Sequence, residues 1–150
     1  MTACDCVGVF FAATTAARSW RGAVLEAEAR ARQGNTWVYQ LDWRSPQAGG
    51  TLGAMHILDI PLMFDNIANA GEQTGTSPQA QALAAQMSQA LLAFAHSGNP
   101  NHKKLPNWPN YQLQQRETMI FDGHARVEFD PRGRERQLFE QVPFVQPGTF

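Results

Sequence analysis

Apolar residues recur at helical spacing from about Ser19 to Gln33, where Trp20, Val24, Ala27 and Ala31 form one stripe. Glu26 with Arg30, and Glu28 with Arg32, stand at i,i+4 in the favourable order. Gly34 offers a left-handed end to this predicted helix. The period then changes to two. From Thr36 to Trp43 (TWVYQLDW), Trp37, Tyr39, Leu41 and Trp43 share one face of a strand rich in aromatic and β-branched residues. SPQAGG, ending at Gly50, opens a long loop that carries GGTLGAMHILDIPLMFDN, Gly49 to Asn66. Ser77 and Pro78 make a cap followed by proline at the first helical position. The helix they start runs to about His96, with Leu83, Ala84, Met87, Leu91, Phe94 and Ala95 on one side, and Gly98 stops it. The stretch NPNHKKLPNWPNYQ is too rich in proline for helix or central strand. TMIFD, the Asp122-Gly123 turn and RVEFD read as a short hairpin. Asp130-Pro131 caps a last helix, with Leu138, Phe139 and Val142 as its apolar side.

A helix followed at once by a strand suggests an α/β crossover. The count is three helices, one strong strand and one weak hairpin, so the strand has no evident sheet to join. Unpaired backbone groups and four large side chains left in water would be costly. Neighbouring strands are therefore expected in polypeptide outside this chain. The start agrees, since it opens inside apolar, structured-looking sequence, as a piece of something longer would.

Composition narrows the classes of partner. The 150 residues are 43% hydrophobic and 17% charged with a net charge of -1, and charges of both signs are interspersed. No basic field exists to attract nucleic acid or anionic lipid. No stretch reaches the about 18 apolar residues of a membrane span, and no basic region precedes an apolar run as in a secretory signal. Cys4 and Cys6 flank Asp5 in a spacing poor for a disulfide or a zinc site. Two ordinary thiols favour a reducing compartment, and the lack of a signal peptide in this chain favours a cytoplasmic one.

His56, in GAMHILDIP, follows a strand, and open α/β sheets carry functional groups beyond the carboxyl ends of their strands. Gly49, Gly50 and Gly53 allow tight turns and leave room beside the imidazole. Imidazole can take a proton and return it near neutral pH. Chemistry alone still favours a histidine that caps a loop or fills a core gap. Asp59 could orient the loop by hydrogen bonding or cap the turn before Pro61.

The segment Gly53-Ala54-Met55-His56, then Asp59-Ile60-Pro61-Leu62-Met63-Phe64, resembles the stretch around the catalytic histidine of type-B carboxylesterases, the group of para-nitrobenzyl esterases and cholinesterases. VYQLDWRSP looks like the preceding strand, and FAHSGNPN, LPNWPNY and RETMIFD resemble successive landmarks of the family's C-terminal region. The resemblance covers the chain from about Arg18 onward; the first fifteen or so residues match poorly. It implies that residues 1–150 are the C-terminal fragment of one α/β-hydrolase domain, with an incomplete sheet. The family's triad runs Ser, acid, His along the chain, so the histidine is the member such a fragment retains. No Gly-x-Ser-x-Gly elbow or HGGG-like oxyanion segment occurs, and serines 19, 45, 77, 88 and 97 lack the flanking glycines. By its place in that order the triad acid should precede Met1, so none is assigned here.

The resemblance therefore implies a serine carboxylic-ester hydrolase part in which His56 is the proton carrier, inactive alone and needing no cofactor. The implied substrate of the complete enzyme is a small-molecule carboxylic ester. Alternatives are a non-catalytic cholinesterase-like binding or adhesion relative, a truncated gene product, or a self-contained small binding domain. Of the other candidates, a His56/Asp59/Asp65 metal site has too few good ligands. His96, His102, His124 and Lys103-Lys104 read as solvated, and Trp108 as a packing anchor. Met55, Leu62, Met63 and Phe64 read as core before acyl-pocket border.

Overall fold

Helix α1 (Cys6–Thr15) passes through a π-helical turn (Ala16–Trp20) into α2 (Arg21–Ala31) in the computed structural model, which describes residues 6–144. The helix thus begins well before the predicted Ser19. Ala27 is buried and Trp20, Val24 and Ala31 are half-buried, so the predicted stripe does face inward. Its end differs. Gly34 is not left-handed; the N–H groups of Gln33 and Gly34 both donate to the Arg30 carbonyl at 2.8 and 3.0 Å, which closes the helix without a special conformation. The i,i+4 pairs do not form either. Glu28 turns instead to Arg116, whose Nη1 lies 2.5 Å from Oε1.

Strand β1 (Val38–Leu41) follows, then a tight 3₁₀ turn (Gln47–Gly50), two short helices, α3 (Asp59–Met63) and α4 (Gly71–Thr74), and the long α5 (Pro78–Ser97). Ser77 Oγ accepts from the Ala80 N–H, and Gly98 is left-handed at φ 70°, so both ends of α5 fall where the cap residues put them. Strand β2 (Glu117–Phe121), strand β3 (Arg126–Phe129) and α6 (Gly133–Glu140) complete the described chain.

The three strands form one sheet in the order β1-β2-β3. β1 runs parallel to β2, with Val38 opposite Thr118 and Leu41 opposite Phe121. β2 and β3 are the antiparallel hairpin read from the Asp122-Gly123 turn. The strand that seemed to have no sheet therefore has one neighbour, and the hairpin that looked weak supplies it. β2 is buried at every position because it is flanked on both edges. β1 is only half-buried throughout, and its other edge pairs with no strand among the described residues.

The core lies where α3 and α5 pack on the sheet: Leu62, Ile67, Leu83, Ala84, Met87, Trp108, Met119 and Phe121 are buried, with Trp37, Tyr39, Leu41 and Trp43 against them. That is the strand face the alternation selected. Val38 and Gln40, on the other face, share a crevice of about 200 Å³ with Val24 and Ala27 of α2. Helices thus cover both sides of the sheet. The apolar stripe of α5 outruns its cover, however, since Leu91, Phe94 and Ala95 are exposed. A cleft of about 390 Å³ opens there between α5 and the β1 edge, and the Phe94 ring lies edge-on to Trp37 within it.

The last helix also departs from expectation. Arg132 precedes it in a left-handed conformation with no side-chain cap, and the Asp130 carboxylate binds Arg136 instead of backbone N–H groups. Leu138 and Val142 are exposed and only Phe139 of the expected apolar side is half-buried.

Candidate active site

The loop from Arg44 to Leu58 leaves the carboxyl end of β1 and returns into α3. Ser45, fully buried, ties its start to its middle by donating its N–H to the Gly53 carbonyl at 2.9 Å. Ala48, Gly49, Gly50 and Gly53 all have positive φ, which makes room for two reversals in a few residues. His56 stands at the top of the loop, exposed to solvent, and its imidazole has no hydrogen-bond partner among the described residues. Ile57, next to it, is left-handed at φ 65°, and Leu58 is fully buried beneath. The backbone therefore dives at Leu58 and turns His56 outward. The segment it opens also exposes apolar side chains, Ile57, Ile60 and Phe64.

Asp59 makes no hydrogen bond to His56. It accepts a hydrogen bond from the Tyr39 hydroxyl at 2.8 Å, tying the first residue of α3 to strand β1. Of its two expected roles, orienting the loop fits this contact, since Asp59 makes no side-chain cap. Burial first, and then this hydrogen bond, push the Tyr39 phenol well above its ordinary range, so it stays a donor through neutral and mildly basic pH. Tyr39 escaped the sequence reading because strand alternation marks it only as an inward aromatic. Nothing local signals a partner twenty positions later.

The remaining candidates sort by burial. No group of three His, Cys, Asp or Glu side chains capable of holding a metal occurs among the described residues, the His56/Asp59/Asp65 set included. Cys4 lies outside the described residues. His96, in the last turn of α5, and His124, in the β2–β3 turn, are exposed, as expected of solvated residues. His102 is not merely solvated. Its Nδ1 accepts from the Lys104 N–H at 3.3 Å, which leaves Nε2 protonated to donate to the Gln86 carbonyl at 3.0 Å. Lys103 and Lys104 are exposed. Trp108 is the packing anchor expected, buried and edge-on to Phe121 with ring centroids 5.9 Å apart. Leu62 is core and Met63 half-buried, while Phe64 is 70% exposed and so cannot be read as core.

A parallel strand pair with helices on both faces, and a loop histidine beyond the carboxyl end of one strand, is an α/β arrangement with its functional candidate where such folds carry their sites. The sequence profile described as "Carboxylesterase family" matches residues 11–140, and the chain belongs to that family. The match begins before Arg18, so the resemblance reaches further into the N-terminal helix than the motifs indicated. The chain is 32% identical to the para-nitrobenzyl esterase of Bacillus subtilis (strain 168) over 120 residues, 79% of this chain and 24% of that protein. It is 32% identical to the phenmedipham hydrolase of Pseudarthrobacter oxydans, over 69% of this chain and 22% of that one. Among solved structures, a PNB esterase superposes with a TM-score of 0.71 at 31% identity, covering 79% of this chain and 24% of that one. An esterase from Clostridium hathewayi, described as able to hydrolyse aliphatic aromatic polyesters, gives 0.66 at 28% identity over 75% and 22%. The chain thus spans about a quarter of the length of the relatives it matches.

Proposed function

We propose that residues 1–150 are the histidine-bearing C-terminal part of a single carboxylesterase domain that hydrolyses small-molecule carboxylic esters. His56 is the general base and acid. It takes the proton of a serine hydroxyl carried on another stretch of polypeptide as that oxygen attacks the ester carbonyl, then gives the proton to the leaving alcohol. The same exchange with water breaks the acyl-enzyme and releases the acid. Asp59 acts one step removed, by fixing the loop. The chain alone is inactive, because nucleophile and oxyanion donors are supplied elsewhere.

The observation that carries this reading is the place of His56: an exposed imidazole, without a hydrogen-bond partner among the described residues, on the loop after β1 and within the stretch matched to the carboxylesterase family. A histidine kept for packing or capping would be buried or hydrogen-bonded, as His102 is. The half-open β1 edge and the uncovered apolar residues of α3 and α5 support the fragment reading, because an intact hydrolase sheet would flank that strand.

The test has two arms. The chain by itself is incubated with a fluorophosphonate probe and with p-nitrophenyl acetate. No serine labelling and no turnover above buffer are expected, and stoichiometric labelling would show that the fragment reading is wrong. The chain is then co-refolded with the Bacillus subtilis para-nitrobenzyl esterase lacking its matching segment. Ester hydrolysis is expected to return with the parent chain and not with His56→Gln. Equal rates from the two would remove His56 from the chemistry.

A further inference from the structure

The two residues between His56 and Asp59 are in opposite situations. Leu58 is fully buried, whereas Ile57 is 46% exposed and left-handed. A β-branched side chain rarely takes that conformation, because its Cβ substituents crowd the backbone oxygen. Such a residue persists only where the structure on both sides holds it there. On the far side of Ile57 the hold is visible. Asp59 accepts from the Tyr39 hydroxyl at 2.8 Å. The tyrosine is itself a stiff post: its backbone stands opposite Met119 in the parallel ladder, and its ring lies edge-on to buried Phe121, centroids 6.0 Å apart. Around Ile57 the hydrogen bonds are backbone turns, from the Leu58 N–H to the Met55 carbonyl at 3.3 Å across it and from the Ile60 N–H to the Ile57 carbonyl at 3.1 Å after it, while upstream the Ser45 N–H holds the Gly53 carbonyl at 2.9 Å. The turn across Ile57, at 3.3 Å, is longer than an ordinary N–H···O bond.

We infer that the Tyr39–Asp59 hydrogen bond is the clamp that keeps Ile57 left-handed and so aims His56 outward, which makes Tyr39 a positioning residue. Its purpose rests on the proton-carrier reading of His56; the clamp itself is a property of the loop. With the bond gone, α3 is still seated by Leu58 and Leu62, but its first residue is no longer tied to the sheet. Ile57 then relaxes toward ordinary negative φ, and the peptide plane that sets the His56 direction turns with it. Charge is not what the clamp needs. A phenol also donates to an amide oxygen, though without the added strength of a charged acceptor, so asparagine at position 59 should retain the clamp and alanine should not.

The experiment is backbone ¹⁵N relaxation and amide exchange on the full chain, comparing the parent with Tyr39→Phe, Asp59→Ala and Asp59→Asn. In Tyr39→Phe and Asp59→Ala, order parameters at His56 and Ile57 are expected to fall from the rigid range of about 0.85 to below about 0.6. Exchange at the Leu58 and Ile60 amides should quicken about fivefold, the loss expected for one net hydrogen bond. Asp59→Asn should keep parent values, a rescue that a general loss of stability would not give. The Lys104 amide, held by His102 away from this loop, is the internal control. An unchanged loop in both Tyr39→Phe and Asp59→Ala overturns the inference. So does loosening at Lys104 to the same degree in both, because the pair would then support the whole fold and not the histidine loop. Failure of the functional reading looks different: His56→Gln would hydrolyse esters at the parental rate in the reconstituted enzyme while Tyr39→Phe still loosened the loop.

Discussion

Arg136 of α6 grips the Asp130 carboxylate with two hydrogen bonds, from Nε to Oδ1 at 2.9 Å and from Nη2 to Oδ2 at 2.7 Å. This two-pronged geometry is the strong form of an ion pair, and neither partner is more than 29% exposed. Asp130 also stands 3.8 Å from Arg116, which in turn holds Glu28 of α2. The network joins the first and last long elements across the open end of the β2–β3 hairpin.

Arg136→Met keeps the stem and removes the cation. The expected loss is about 1–2 kcal/mol, between the ranges for exposed and buried pairs, or roughly 3–6 °C in melting temperature. Its pH dependence follows from the direction of the Asp130 shift. The Arg136 hydrogen bonds, working against partial burial, hold that carboxyl below the ordinary range. A depressed carboxylate contributes stability above its unfolded value of about 3.9 and loses it as pH falls through the lower folded value. Urea denaturation of parent and variant should therefore differ by a constant amount from neutrality down to about pH 5. The gap should close as the solution is acidified below about pH 4.

How far the elements could be read depended on whether the cause was local. α5 was legible to within a residue because its cap, its proline and its stop glycine act on their own backbone. The face of β1 was legible because alternation has only two answers. The partner of β1 was not, since pairing with β2 joins positions such as Gln40 and Ile120 that no local pattern links. Glu28 illustrates the same limit: helical spacing offered Arg32, and the fold supplied Arg116 instead. At the candidate site, motif and resemblance singled out His56 and Asp59. Tyr39 and the left-handed Ile57 were invisible, the first because its partner is distant and the second because isoleucine is among the last residues one would place at positive φ.

The α5 caps can be weighed against each other. Ser77→Ala removes an acceptor 3.2 Å from the Ala80 N–H and should cost about 1 kcal/mol. Gly98→Ala meets no atom within 4 Å, so its cost is conformational alone, also about 1 kcal/mol for a left-handed residue. The two sites lie at opposite ends of the helix, and the double variant is expected to lose the sum within about 0.5 kcal/mol. Equilibrium urea curves with unchanged slope would check both values. A neutral Gly98→Ala would mean that the helix ends earlier than Gly98.

Phe121 and Phe129 lie on neighbouring strands and should behave oppositely. Phe121 is fully buried between the edges of Tyr39 and Trp108, and truncation to alanine should cost about 3–5 kcal/mol. In a chain of this size that is a large share of the total, so Phe121→Ala is expected to be largely unfolded, by far-UV circular dichroism, where the parent is folded. Phe129 is 63% exposed, and Phe129→Ala should change stability by no more than about 0.5 kcal/mol. A large loss at Phe129 would point to a surface that is covered in solution.

Ile57→Asn separates stability from function at the histidine loop. The left-handed conformation costs a β-branched residue about 1–2 kcal/mol, and asparagine takes it far more readily. Ile57 is 46% exposed, so the apolar contact given up is small against that relief. The chain should gain about 0.5–1 kcal/mol, read as a melting temperature higher by roughly 2–4 °C. Asparagine also makes the turn self-supporting, so Tyr39→Phe should loosen His56 less in this background than in the parent. The two changes are thus expected to be non-additive, as contacts that share one strained residue are. If Ile57→Asn instead destabilises the chain by more than about 1 kcal/mol, the isoleucine is held by apolar packing and its left-handed turn is not a source of strain.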